Sequence, residues 1–297
     1  MNYLKDYREG EKFVGTYLCK QKQILKTKAG KTYYSLTLQD KTGTADGKIW
    51  ELNNGIANFE PMDYIHCEGM VTSFQGNLQM NISRVRISDE GEYDPTDYVP
   101  CTNKDVGEMF SRILKYVASV QNKYLRKILE MYFVENKEFV DAFKKHSAAK
   151  SVHHGFMGGL LEHTLSVTDM CQYFAEHYPM IHRDLLITAA LFHDMGKIQE
   201  ISDFPMNDYT DDGQLLGHIY IGARCMENAA AQIPNFPPKL KNELVHCILA
   251  HHGKMEFGSP KVPAIMEAMA LHMADNADAE LQTLTEVFTQ AGDNMGW

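Results

Sequence analysis

No stretch of the 297-residue chain stays apolar for the roughly 18 residues that a membrane-crossing helix needs. The first residues, MNYLKDYREGEKF, are charged and lack the apolar core of a secretory signal. The six cysteines (Cys19, Cys67, Cys101, Cys171, Cys225, Cys247) stand singly, with no Cys-x-x-Cys pair. This scatter argues for a reducing, cytoplasmic setting and against a structural zinc site built on thiolates. Positive charge is also short: 29 Lys+Arg stand against 39 Asp+Glu, a net charge of −10. Taken globally, that disfavours a nucleic-acid partner. The deficit is uneven, however. Residues 1–88 hold 12 basic and 9 acidic side chains, while the rest of the chain holds 17 and 30. Lys12 to Lys31 contains six lysines and no acid. For contact with phosphates such a strip matters more than net charge; a solvated strand face is the alternative reading.

The length suggests about two domains. In residues 1–88, Phe13–Gln23, Thr32–Gln39, Thr44–Leu52, Tyr64–Phe74 and Leu78–Ile87 read as strands separated by Gly-containing turns. Asn53–Phe59 reads as a short helix between the third and fourth. Five strands in that order predict an all-β OB-fold barrel. The segment LTLQDKTGTADGKIW resembles the strand–turn–strand of nucleic-acid-binding OB-folds. Such barrels hold single strands with basic grooves and aromatic platforms. The candidates here are Lys22, Lys26, Lys28 and Lys48 for phosphates, and Tyr34, Trp50 and Phe74 for bases. Strand alternation lets only one of Tyr33 and Tyr34 face a groove, and barrel core is the competing assignment for any one of these aromatics.

Residues 89–102, with two prolines and five acids, read as a linker. From 103 to 297 the periodicity is helical, first in Val106, Met109, Phe110, Ile113, Leu114 and Val117. The organising stretch of this half is Leu185–Lys197, LLITAALFHDMGK. Eight apolar or small residues predict a buried helix, with Gly196 as its left-handed stop. The helix delivers His193 and Asp194 at its end, and a carboxylate beside a core needs a partner or a metal. Of the 13 histidines, all but His66 lie beyond residue 145. His163, His218, His251-His252 and Asp275 each put polar groups on an otherwise apolar helix. Taken alone, His163 reads first as a partly buried helical histidine and only second as a ligand. A helical bundle can bring such groups to one interior point.

The order His163…His193-Asp194…His218…His251-His252…Asp275 resembles the HD-domain metal-dependent phosphohydrolases. His163, His193, Asp194 and Asp275 match the four-part core motif. His218 and one of His251 and His252 match the further ligands of two-metal members. The resemblance implies an all-α bundle holding two divalent ions, Mn²⁺ first and Fe²⁺ or Co²⁺ next, bridged by Asp194. Lys197 is a candidate catalytic contact to the scissile phosphate, against a solvated cation past a helix end. His154, with His153, lines a substrate entrance or else a glycine-held turn. An OB-like module followed by an HD domain carrying SVHHGFMGGLLEHTLSV is similar to the YhaM-type 3′–5′ exoribonucleases. That family implies a manganese-dependent enzyme that trims single-stranded RNA, and possibly single-stranded DNA, to nucleoside 5′-monophosphates with a metal-activated hydroxide. A nucleotidase or cyclic-nucleotide phosphodiesterase of the HD class is one rival, a non-catalytic nucleic-acid-binding factor the other. A homo-oligomer is an open expectation.

Overall fold

The computed structural model describes residues 3–53, 55–150 and 154–291. The chain forms two compact units, Met1–Pro100 and Cys101–Trp297.

The first unit is a closed five-stranded barrel: β1 (Lys12–Lys26), β2 (Thr32–Asp40), β3 (Gly43–Ile49), β4 (Tyr64–Phe74) and β5 (Asn77–Ile87). Its order is β1-β2-β3-β5-β4, with β4 returning antiparallel onto β1 and β3 parallel to β5. That connectivity is the OB-fold. Period-two alternation along β2 sends Leu36 and Leu38 into a core with Phe13, Tyr17, Ile49 and Ile65. The opposite face of β2 carries Tyr33, Ser35 and Thr37, beside Asp46 and Lys48 of β3. The short helix expected at 53–59 does not form. Asn53 Oδ1 takes the amide of Gly55 at 2.8 Å, and Gly55 O and Ala57 N both pair with Val85 at 2.9 Å. A local side-chain turn and a strand-edge pairing outcompete a helix too short to repay its nucleation. Residues 89–100, read from sequence as linker, cluster with the barrel. Tyr93 stacks on Tyr64 at 4.0 Å, and Tyr98 and Val99 are buried.

The second unit holds α1 (Val106–Ser119), α2 (Lys123–Phe133), α3 (Lys137–Lys145), α4 (Gly159–His177), α5 (Arg183–Phe192), α6 (Lys197–Glu200), α7 (Asp211–Ala231), α8 (Pro238–Ala250) and α9 (Met266–Ala291). Asp105, Asn122 and Asn136 cap α1, α2 and α3 with side-chain oxygens, which fixes their starts. All eight residues from Leu185 to Phe192 are buried, as an unbroken apolar run requires. α5 is the central post, packed on α4, α8 and α9. Gly196 is not a left-handed stop: it is right-handed, φ −63°. Its lack of a side chain serves closeness instead, since a Cβ there would lie 2.1 Å from the carbonyl oxygen of His218. Gly217, φ +73°, breaks α7 and turns His218 toward α6.

Candidate metal centre

Three of the centre's segments end or bend where they deliver a ligand-type side chain. His193 caps α5 and Asp194 follows; His251 caps α8 and His252 follows; His218 lies just past the bend in α7. His163 and Asp275 come from the buried faces of α4 and α9. His163, His193, Asp194 and His251 are essentially sealed from solvent.

The two oxygens of Asp194 face different imidazoles. Oδ2 lies 3.3 Å from His163 Nε2 and 3.4 Å from His193 Nε2; Oδ1 lies 3.5 Å from His218 Nε2 and 3.6 Å from His251 Nε2. Asp275 Oδ1 joins the first group, 3.1 Å from His163 Nε2 and 3.7 Å from His193 Nε2. His252 closes the second group: His218, His251 and His252 bring one ring nitrogen each within 4.8 Å of one another. Two donors about 2.1 Å from one cation stand roughly 3.0–3.4 Å apart; the contacts of His163 with Asp194 and Asp275 have that spacing, and the second group is wider, at 3.5 and 3.6 Å from Asp194 Oδ1.

The ring tautomers agree. His193 Nδ1 donates to Ala190 O (2.7 Å), His251 Nδ1 to Ile248 O (2.7 Å) and His252 Nδ1 to Phe257 O (2.8 Å). His163 Nδ1 donates to Asp278 (2.7 Å) and His218 Nδ1 to Glu200 (2.9 Å). Carbonyl and carboxylate oxygens only accept, so Nδ1 carries the hydrogen in each ring and the Nε2 lone pair points inward. Those of His163 and His193 face each other at 3.1 Å, while those of His218 and His251 meet no donor among the described residues. Both oxygens of Asp194 and Nε2 of His218 and His251 are buried without a hydrogen-bond partner among the described residues, although Lys197 Nζ sits 2.7 Å from Asp194 Oδ2. Orphaned acceptors converging on one point fit a divalent cation, and mixed imidazole and carboxylate donors suit a first-row transition ion.

The charge balance of the pocket points the same way. Burial opposes ionisation of Asp194, yet Lys197 and His193 hold its carboxyl well below the usual range. Burial pushes His163 down, but the neighbouring carboxylates of Asp194, Asp275 and Asp278 outweigh it and raise that imidazole well above its ordinary value. Lys197 is likewise raised, Asp194 prevailing over burial. Protons and one ammonium are drawn to where cations fit. His251 and His252 are lowered, chiefly by burial, and so stay neutral donors.

Asp278 and Glu200 were not among the residues singled out by sequence. Asp278 lies one turn beyond Asp275 on the same face of α9, the spacing that signals a shared role. It accepts from His163, from His154 Nε2 (2.9 Å) and from Ser166 Oγ. Glu200 follows Lys197 on α6 and accepts both Nδ1 and the backbone amide of His218 at 2.9 Å; no local pattern marks it. His154 is buried behind His163, bonded to Asp278, and lines no entrance. His153 lies outside the described residues.

On the barrel, Lys22 turns inward. Its ammonium lies over the Tyr34 and Phe59 rings and donates to Phe59 O, so neither Lys22 nor Tyr34 is presented on the outer face. Tyr33 occupies the place expected for Tyr34, stacked 4.6 Å from Trp50, whose indole donates to Asn81 Oδ1. Lys48 lies on that face, bound to Ser35 and Asp46. Lys26 and Lys28 at the β1–β2 hairpin and Phe74 at the β4–β5 hairpin are exposed.

The fold and the centre define an HD-domain phosphohydrolase carried behind an OB barrel. Residues 160–280 match the HD domain family. Three curated relatives share nearly the whole chain, each described as 3′–5′ exoribonuclease YhaM. That of Geobacillus sp. (strain WCH70) is 32% identical, covering 86% of this chain and 78% of the relative. The Bacillus subtilis (strain 168) protein is 31% identical over 86% and 81%. The Listeria innocua serovar 6a protein is 32% identical over 96% and 90%. This chain belongs to the YhaM 3′–5′ exoribonuclease family. Among solved structures, the second OB-fold domain of replication protein A from Methanococcus maripaludis matches 31% of this chain and 98% of that one, at 20% identity and a TM-score of 0.25, too slight a likeness to argue from. No helix among the described residues is long and apolar enough to cross a membrane.

Proposed function

We propose that the protein is a metal-dependent 3′–5′ exoribonuclease that removes nucleoside 5′-monophosphates from single-stranded RNA, and from single-stranded DNA as a second substrate. The observation that carries this reading is Asp194, buried, with its two oxygens directed at separate imidazole groups and only Lys197 as an ion-pair partner outside them. In this reading His163, His193 and Asp275 would hold one divalent ion, His218, His251 and His252 would hold another, and Asp194, with an oxygen toward each group, would serve both. Ions so held supply Lewis acidity toward a phosphodiester and lower the pKa of water, and Mn²⁺ suits the donor set best.

The chain's own groups do the rest. Lys197 lines the cavity that opens onto His163 and Asp275, and its ammonium offsets charge on the scissile phosphate. Asp278 and Glu200 keep the Nε2 atoms of His163 and His218 aimed inward. Water displaces the 3′ oxygen of the penultimate nucleotide, which leaves with a proton. On the barrel, the Tyr33–Trp50 pair and Phe74 stack bases while Lys26, Lys28 and Lys48 meet phosphates. The test is Asp194→Ala. Hydrolysis should fall at least about a thousandfold, as on losing a group that acts in the transition state, while RNA binding in a gel-shift assay persists. Full activity in that variant would end the two-ion reading.

A further inference from the structure

The cavity over the metal centre has a volume of about 300 Å³, enough for one small ligand. His163, Lys197 and Asp275 line one part of it, and Phe257 another. Phe257 is 52% exposed, on the 3-10 turn Met255–Phe257. Singly exposed aromatics are common on surfaces, but this one is braced. Its carbonyl accepts His252 Nδ1 at 2.8 Å, its amide donates to Lys254 O at 3.1 Å, and Ser259 Oγ ties the following strand of loop to Leu249 O at 2.9 Å. The hydrogen bond that orients His252 therefore also fixes the aromatic turn. Asn276, also in the cavity lining, gives its Nδ2 to Glu280 and keeps its carbonyl oxygen as an acceptor. Lys254 Nζ lies 5.0 Å from the Phe257 ring centroid. An aromatic ring on a braced turn and an acceptor thus line the same cavity as Lys197.

We propose that Phe257 is the platform on which the base of the 3′-terminal nucleotide stacks, setting that nucleotide's phosphodiester over the centre. The proposal rests on the exoribonuclease reading above. Stacking on a π-face accepts every base, so the platform gives preference for a base over none, without sequence preference.

The test uses the full chain with Mn²⁺ and two 5′-labelled RNAs, identical except that one ends in adenosine and the other in an abasic ribose. The first cleavage is followed as kcat/KM. The wild type should favour the adenosine end by about tenfold or more. Phe257→Ala should cut both ends at the wild type's abasic rate, and Phe257→Tyr should restore the preference. Equal rates on the two ends in the wild type, or an undiminished preference in Phe257→Ala, would overturn the platform. A Phe257→Ala variant equally impaired on the abasic end would also overturn it, assigning the residue to support of His252. Hydrolysis of neither end by the wild type would refute the exoribonuclease reading itself.

Discussion

Asp194 is a buried carboxylate with no hydrogen-bond partner for either oxygen among the described residues and only the Lys197 ammonium, 2.7 Å from Oδ2, to offset its charge outside the imidazoles, an arrangement that costs stability without a metal. Its neighbours accept that cost through Asp278 and Glu200, which hold one histidine of each group by the non-ligating nitrogen. Carboxylate–imidazole pairs of this kind are worth about 10–100-fold in metal affinity. Asp278→Ala and Glu200→Ala should each weaken Mn²⁺ binding by that range, read by calorimetry on the resting protein; unchanged affinity would reduce both to packing. The same groups set an acid dependence. Burial raises both carboxyls, but His154 and His163 hold Asp278 down, and His218 holds Glu200 down. A carboxyl lowered on folding contributes stability above its unfolded pKa, about 4, and loses it as pH falls toward the folded value. The stability gap between the wild type and Asp278→Asn in urea should therefore be widest near neutral pH and shrink below about pH 4. A gap that widens in acid would contradict the sign.

At the scale of elements, the centre depends on how closely α6 approaches α7. A Cβ on Gly196 would meet three backbone atoms, His218 O at 2.1 Å, His218 C at 2.8 Å and Gly222 N at 2.9 Å. None of these can swing aside as a side-chain tip can. Gly196→Ala should cost on the order of 1–3 kcal/mol in unfolding free energy, as other overpacked sites do, and displace His218, so that fewer Mn²⁺ ions bind per chain. Wild-type stoichiometry in that variant would show the approach to be slack. These elements also show what a sequence makes legible. α5 was readable because an unbroken apolar run has few other places to go, and the residues at its end followed from it. The five strands were readable from alternation and turn residues. Asn53–Phe59 was not, because its fate was decided by the pairing of Gly55 and Ala57 with Val85, far along the chain in the fifth strand. Gly196 was named for the wrong reason: sequence offers its freedom of φ, while only packing reveals the need for no side chain.

Across the whole molecule, motif and topology agree where the chemistry is dense and part where it is diffuse. The seven ligand-type residues of the helical unit were named from order and residue type, and the structure gathers all seven. A metal centre imposes such order because each ligand must supply a particular atom. A stacking face asks only for an aromatic ring on the correct side of a strand. One position therefore separated Tyr33 on the outer face from Tyr34 against Phe59, and Lys22 was spent on a carbonyl. The carboxylates behind the histidines carry no motif, since any acceptor at the right distance can orient a ring.

The most direct test of the account follows a 5′-labelled single-stranded RNA of about 20 nucleotides, longer than one OB-fold site, with EDTA, Mg²⁺ or Mn²⁺. A ladder shortening one nucleotide at a time from the 3′ end, present with Mn²⁺ and absent with EDTA, is the expected result. RNA left intact under every condition, or shortened equally in EDTA, would contradict it.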